Sequence, residues 1–537
     1  MPLELKPVEP TNGTNRPPDE ISGADRIKEI AIDYLSDESR MPCGEVTRVM
    51  FPRSEIDLVR IFEDARSTKT PVTVSSGRTG ISGGAVAPCG WAVSLERMNQ
   101  VRAVKKVSSG WHVRVESGIS IDDFKEMVTK KRLDRCHEDI DCAGFRDDPQ
   151  PLLYPPDPTE GTAHLGGTVA TNASGARTYF YGPTRSYVMG LRVVLPTGTV
   201  LDLSRGESRV LDDGTIIIPH PGGEISFKVP TYSWPPTKST AGIYSSPGMD
   251  PLDLFIGSEG ILGVITSMDL LAIPAPTNVF SIVAFFPSDI DALNFIRSAR
   301  DMDVIKPRCL EFFDSRSLNM LKGSGSADGA SISGIPEKDD ISAVYFEEDY
   351  QSEEDLETSY GHWDALLEQN GSSMDRTWGG LEDQERRRLK DFRHALPELV
   401  NDTISKRKQT DDRIHKVATD MAVPDDRLVE VFQMYRTDLV DGGYDHVIFG
   451  HAGDNHFHVN IIPRDHREVI RAKELYNQWA VKVVSWGGSV SGEHGIGRLK
   501  KDYLKIQLGE DGIDQIRHIK RALDPGWILN PGVMIDP

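Results

Sequence analysis

Three glycine-rich loops constrain this chain more than any other feature. SSGRTGISGG (75–84) follows the apolar run PVTV, and PPDPTEGTAHLGGTVATNASG (155–175) and GSEGILGVIT (257–266) repeat its character. Glycine lets backbone amides turn inward and approach an anion closely, while Ser76, Thr79 and Ser82 can add hydroxyl donors. A phosphate or pyrophosphate cradle is one reading, and a set of plain connecting loops is the other. No loop carries GxGxxG between a strand and a helix, which argues against a nicotinamide-binding Rossmann fold. Around the loops, short β-rich runs (VTRVMFP, PVTVSS, WAVSLERM, HVRVES) alternate with helical segments. Two of these, SEIDLVRIFEDARS and SIDDFKEMVTKKR, open on a serine with Asp57 or Asp123 three residues on, the pattern of an N-cap. The expected class is α+β.

At 537 residues the chain exceeds one ordinary core, so two large domains are expected. Residues 1–41 read as a Pro-rich N-terminal extension with one helix-like segment, and the first domain as 42–276 with a Gly/Pro-punctuated insertion at about 205–236, expected to form a surface hairpin and loops. A second domain spans 277–485, and 486–537 form a C-terminal segment. GSGSADGASISG (323–334) is a flexible loop by composition, and the acidic run from Glu347 to Glu357 is expected to be a solvated face. With 61 basic and 82 acidic residues the net charge is −21, which disfavours nucleic acid and anionic lipid as partners. The longest apolar run, near Val279 to Phe286, falls short of the roughly 20 residues of a spanning helix. The N-terminus lacks a basic-then-apolar signal, so a cytoplasmic chain is expected. Five cysteines, odd in number and without CxxC spacing, suggest neither a disulfide framework nor a thiolate zinc site.

FGHAGDNHFHVN (449–460) carries His451, His456 and His458 around a Gly-Asp-Asn turn. His456, His458 and Asn460 alternate with Phe457, Val459 and Ile461, a strand with one polar and one apolar face. VIFG reads as its partner strand and Ala452 to Asn455 as a tight turn with His451 at its lip. A metal site, an acid/base site and an ordinary hairpin are all compatible with that geometry.

The three glycine segments, together with VVLPTGTVLDL (193–203), DLFIGSEGILGVIT (253–266), SGEHGIGRLKKDYL (491–504) and LDPGWILNPGVM (523–534), resemble the FAD-linked oxidases of the vanillyl-alcohol-oxidase, or PCMH-type, fold. Within that fold the likeness is to D-lactate, glycolate and D-2-hydroxyglutarate dehydrogenases, and it runs from about residue 42 to the C-terminus. The resemblance implies an FAD-binding domain of two α+β subdomains and an α+β substrate cap over the flavin ring. It implies FAD contacts from Ser76, Gly77, Arg78, Thr79, Gly80, Ser82 and Gly83 in the first loop, with the pyrophosphate on Gly77 to Gly83. From the second loop it implies Pro156, Asp157, Gly166, Gly167, Ala170, Thr171, Asn172 and Gly175, and from the rest of the chain Glu259, Gly260, Val264, Ile265 and Asn530. Relatives with covalently held flavin commonly carry a histidine in the first loop, where this chain has Arg78 and Thr79. Dissociable FAD is therefore expected.

In the D-2-hydroxy-acid dehydrogenases the chain resembles, HxGDxxxH plus EHGIG supplies two metal histidines, a metal glutamate and a neighbouring histidine base. Mapped by motif, these are His451, His458 and Glu493 as ligands of a divalent metal, zinc or manganese, and His494 as the catalytic base. Two histidines and a carboxylate leave positions open for substrate. A 2-hydroxy acid chelated there through hydroxyl and carboxylate would have its hydroxyl pKa lowered and its α-carbon fixed. Arg393 fits a family arginine that clamps the substrate carboxylate. Lys416 lies near a family lysine, with stretched spacing to Asp420 and Pro424, and Asn460 is a further polar substrate contact. His456 stands where the family form has asparagine; a hydrogen-bond donor to one of the metal ligands, a surface residue and a rival ligand are its three readings.

The implied partners are a small 2-hydroxy acid and an electron acceptor, whether quinone, cytochrome or electron-transfer flavoprotein, with a homodimer and a peripheral membrane location left open. Rival readings are an alkylglycerone-phosphate-synthase-like FAD enzyme, opposed by GEHG where that family has a histidine-rich segment, a non-catalytic flavoprotein subunit, and a structural zinc site with His456 as fourth ligand.

Overall fold

The structure is a computed structural model that describes residues 19–133, 135–136, 140–207, 210–323, 334–337 and 341–537. Residues 1–18 of the expected extension and most of the glycine-serine loop at 323–334 lie outside the described residues.

Both serine-capped helices form where expected: Ser54 Oγ accepts from the Asp57 amide at 3.3 Å to start Glu55–Thr68, and Ser120 Oγ accepts from Asp123 at 3.1 Å to start Ile121–Lys130. The first packs Leu58, Ile61, Phe62 and Ala65 against a four-stranded sheet. In that sheet Glu45–Phe51, Cys89–Ser94 and Val72–Ser75 run parallel, and Asp19–Ser22 adds an antiparallel edge. Residues 19–22 thus extend the first sheet, and Ile27 behind them packs with Val46, Val49 and Phe51.

A second sheet is antiparallel, in the order Val101–Val107, Gly110–Glu116, Val264–Pro274, Val188–Val194, Val200–Ser204. Its central strand reads VITSMDLLAIP and is buried along most of its length, as a strand covered on both faces must be. The one buried acid on it, Asp269, is held by Arg114 through two 2.6 Å contacts. The insertion does contain a hairpin, Thr215–His220 paired with Gly223–Lys228.

The cap is built on an eight-stranded sheet whose order places Thr377–Gly380 at one edge, then Asn278–Phe286, Ser342–Tyr350, Pro307–Phe313, His446–His451 and His456–Ile461, with Val417–Ala418 and Met421–Ala422 along the far edge. The start of the acidic run does not face solvent. Glu347 and Glu348 are buried in Ser342–Tyr350, where Arg177 Nε donates to Glu347 at 2.9 Å and Trp363 Nε1 to Glu348 at 2.7 Å. The cap sheet therefore grips the first domain through a carboxylate that composition alone assigned to water.

Beyond the helix His466–Ser485, the chain returns to the first domain. Leu529 bridges Val72, and the Asn530 carboxamide accepts from the Val74 amide at 2.8 Å and donates to the Gly260 carbonyl at 3.1 Å. No helix among the described residues is long and apolar enough to cross a membrane.

Candidate active site

The three glycine loops converge on one cavity of about 350 Å³. Ser76, Gly77, Arg78, Thr79, Gly80 and Ser82 line it from the first loop, Gly166, Gly167, Ala170 and Thr171 from the second, and Glu259, Gly260, Val264, Ile265 and Asn530 from the remaining segments. Side chains built at Gly80 or Gly167 would meet nothing within 4 Å, so both glycines open onto free space that a cofactor can occupy. At Gly77 the limit is the wall behind, because a Cβ would come within 2.9 Å of the His164 amide nitrogen.

Five of the expected cofactor residues are not on the cavity wall: Gly83, Pro156, Asp157, Asn172 and Gly175. Three of them hold the second loop in shape. Asp157 accepts from the Arg177 amide at 3.2 Å, Asn172 from the Arg185 amide at 2.9 Å, and a Cβ at Gly175 would lie 2.1 Å from the Asp157 carbonyl oxygen. Gly83 takes a left-handed φ of 78° beside Met41. One imidazole does reach the wall from the second loop. His164 lies with Nδ1 2.8 Å from Ser76 Oγ, a contact the sequence reading did not include.

Glu493 and His494 line the same cavity. The expected hairpin forms as His446–His451 and His456–Ile461, with His451 opposite His456 and the turn closed by Asn455 at a left-handed φ of 52°. His451 Nε2 lies 3.2 Å and His458 Nε2 3.1 Å from the same oxygen, Glu493 Oε1. Ligand bonds of ~2.0–2.1 Å place donor atoms roughly 3 Å apart, so these three groups have the spacing of a shared divalent ion. Zinc or manganese would accept this set of two imidazoles and one carboxylate.

Three buried groups around the set were not singled out from sequence. Glu311 Oε1 lies 2.7 Å from His451 Nδ1, and Lys238 Nζ donates to Glu493 Oε2 at 2.7 Å. Asp420, 1% exposed, stands 3.1 Å from His456 Nε2 and 3.2 Å from His494 Nδ1. These charges shift one another. Burial works to lower the His451 pKa, but Glu311 and Glu493 overcome it and push it up to about 9. Burial opposes ionisation of Glu493 as well, yet Lys238 and His451 hold its carboxyl well below the usual range. For His494 burial wins over Asp420 and Glu493, and its pKa is pushed down to about 4.

His456 is fully buried, with its ring packed under Gly492, where a Cβ would lie 2.9 Å from the imidazole. Its approach to Asp420 is oblique, and neither ring nitrogen makes a well-directed hydrogen bond. It is within reach of the ligand atoms of His451, His458 and Glu493, all of which fall within 4.8 Å of one another with its own.

The three expected substrate contacts separate. Arg393, on the helix Asp383–Lys408, is half-buried and donates to His394 Nε2 at 2.9 Å; among the described residues it pairs with no carboxylate, although Glu311 and Asp157 are near enough to raise its pKa. Asn460 is buried on the strand that carries His456 and His458. Lys416 is not brought to the site. It precedes the edge strand Val417–Ala418, which pairs with Ile461 and Asn460, and its ammonium donates to Asn401 Oδ1 at 2.9 Å on the helix beyond.

Comparisons with known proteins agree with this architecture. The family model described as FAD linked oxidases, C-terminal domain, matches residues 275–534, and the model described as FAD binding domain matches 46–138 and 148–204. The chain is 27% identical over 520 residues to a D-lactate dehydrogenase of Anaerostipes hadrus, covering 94% of this chain and 93% of that one. It is 26% identical over 524 residues to a D-2-hydroxyglutarate dehydrogenase of Stutzerimonas stutzeri, covering 95% of each. Among solved structures, p-cresol methylhydroxylase with substrate bound superposes with a TM-score of 0.65 at 14% identity, over 96% of this chain and 94% of that one, a likeness of fold.

Proposed function

The chain belongs to the FAD-linked oxidases, and from that premise we propose that it oxidises a D-2-hydroxy acid to the 2-oxo acid with the help of a divalent cation. One observation carries the reading: His451 and His458 converge on Glu493 at the wall of the cavity that the glycine loops form.

FAD on the glycine loops, held without a covalent bond, would accept the hydride from the substrate α-carbon, chemistry no side chain supplies. A zinc or manganese ion on His451, His458 and Glu493 would lower the pKa of a chelated substrate hydroxyl. His494 takes the hydroxyl proton. Its depressed pKa leaves the imidazole neutral near pH 7, and with Nδ1 turned to Asp420 the free nitrogen is Nε2, 3.6 Å from Glu493 Oε1. Arg393 binds the substrate carboxylate, a role supported by a guanidinium that has no carboxylate partner of its own among the described residues. Asn460 contributes a second polar contact. His456 stays outside the ligand set, because its Nε2 faces Asp420.

The test is anaerobic bleaching of the FAD absorbance by a panel of D- and L-2-hydroxy acids, before and after chelation. Bleaching by a D-acid that disappears on chelation and returns with added cation is expected. A sample loaded with FAD and cation that no D-acid bleaches overturns the reading.

A further inference from the structure

Asp420 interrupts the edge of the cap sheet, between Val417–Ala418 and Met421–Ala422, and six groups approach its carboxylate. Oδ1 lies 3.1 Å from His456 Nε2 and 3.2 Å from His494 Nδ1, and accepts from the Glu493 amide at 3.2 Å. Oδ2 accepts from Lys500 Nζ and Ser491 Oγ, both at 2.6 Å, and from the His494 amide at 3.1 Å. Five of the six come from the Ser491–Lys500 stretch, while Glu493 meets Asp420 only through its backbone.

We propose that Asp420 is the positioning residue for proton abstraction, fixing His494 as the tautomer with hydrogen on Nδ1 and a lone pair on Nε2. A carboxylate only accepts hydrogen bonds, so the imidazole nitrogen facing it must be the N–H. Nε2, on the side of His458 and Glu493, is then the nitrogen free to receive a proton. Once it does, the imidazolium is stabilised by the carboxylate behind it, part of whose charge Lys500 already balances. An amide at the same place could turn its NH₂ toward Nδ1 and favour the opposite tautomer, whose lone pair points away from the substrate. Asp420 also has ligand atoms within metal-binding reach of His458, Glu493 and His494. Lys500, Ser491 and the His494 amide crowd Oδ2, and the Glu493 amide and His494 Nδ1 share Oδ1, which leaves the carboxylate no vacant position toward an ion.

The proposal rests on His494 as the base, and a double-mutant comparison separates the two. Asp420→Asn, His494→Ala and the double variant are loaded with FAD and Mn²⁺. Anaerobic stopped-flow then reads the flavin reduction rate and its substrate dependence, with FAD and manganese content measured on the same samples. Asp420→Asn is expected to slow flavin reduction about 10²–10⁴-fold, the scale of general-base catalysis. Cofactor, metal and substrate affinity should stay near wild type, and the double variant should be no slower than His494→Ala. Losses that multiply in the double variant would overturn Asp420 acting through His494 and leave the base assignment standing. A wild-type rate in His494→Ala would overturn the base assignment and this proposal with it. If Asp420→Asn and Asp420→Glu both lose FAD or manganese, Asp420 is a scaffold or a ligand and the proposal fails.

Discussion

The carboxylate of Glu311 lies 2.7 Å from Nδ1 of His451, buried in the strand Pro307–Phe313, and so determines which nitrogen of that imidazole faces Glu493. A carboxylate behind a ligating histidine fixes the tautomer and raises the basicity of the nitrogen that binds metal, and losing it typically costs about 10–100-fold in affinity. Glu311→Gln should therefore weaken metal binding by about that factor, read by competition with a chromophoric chelator. FAD content should not change, since Glu311 does not line the flavin cavity.

The two strand histidines should behave differently. His458→Gln is expected to drop the metal stoichiometry to near zero, because its Nε2 is one of the two imidazole nitrogens on Glu493 Oε1. His456→Gln should keep the metal and lose stability instead, since the ring is fully buried beneath Gly492. Metal analysis and thermal unfolding on the same samples check both. A metal-free His456→Gln protein would make His456 a ligand.

Gly497 closes the C-terminal loop on the flavin loop. Its φ is 54°, and a Cβ there would lie 2.1 Å from the Ser82 carbonyl oxygen, part of the backbone rather than a movable side chain. Gly497→Ala must push the two loops apart, at a cost of about 1–3 kcal/mol or more. Weaker FAD retention on gel filtration, together with a lower unfolding midpoint, is the expected result.

Arg393→Met should raise KM for the hydroxy acid far more than it changes FAD or metal content. Arg393→Lys should recover only part of the loss, because an ammonium cannot make the paired contacts of a guanidinium. Steady-state kinetics with the acid that bleaches the flavin decides this. An unchanged KM in Arg393→Met would remove the residue from the substrate site.

His446 makes stability pH-dependent away from the chemistry. Burial, aided by Arg316 and Arg436 and opposed by the Tyr444 carbonyl, pushes its pKa from 6.5 down to about 4. Between those values the unfolded chain binds more protons than the folded one, so stability from this group is present above 6.5 and is lost as pH falls toward 4. His446→Gln should flatten the fall in urea midpoint between pH 6.5 and 4 by up to about one proton's worth of slope. A slope identical to wild type would show that the imidazole titrates freely in the fold.

What could be read in the sequence was local. The glycine loops announce themselves because close backbone approach admits almost no other residue, and the hairpin 446–461 because alternation of Phe457, Val459 and Ile461 with polar residues has one structural solution. The groups that tune the site could not be read that way. Lys238 meets Glu493 across 255 positions, Glu311 meets His451 across 140, and Arg177 meets Glu347 across 170. No motif spacing ties those partners together, so a buried ion pair looked like an isolated surface charge. Lys416 failed for the converse reason. It lies near a family lysine only by stretched spacing to Asp420 and Pro424, and the edge-strand pairing of Val417 with Ile461 places its ammonium on Asn401.

The bridge from Leu529 to Val72, and the Asn530 carboxamide bonded to Val74 across 456 positions, set an order of events during synthesis. The floor of the flavin cavity begins with the first sheet, but its last wall arrives only with residues 528–534. A ribosome that has translated the whole cap still carries an unfinished dinucleotide pocket. Closure of the cofactor cavity therefore waits for that stretch, and a chain cut short before residue 528 would fold over most of its described length with this wall missing.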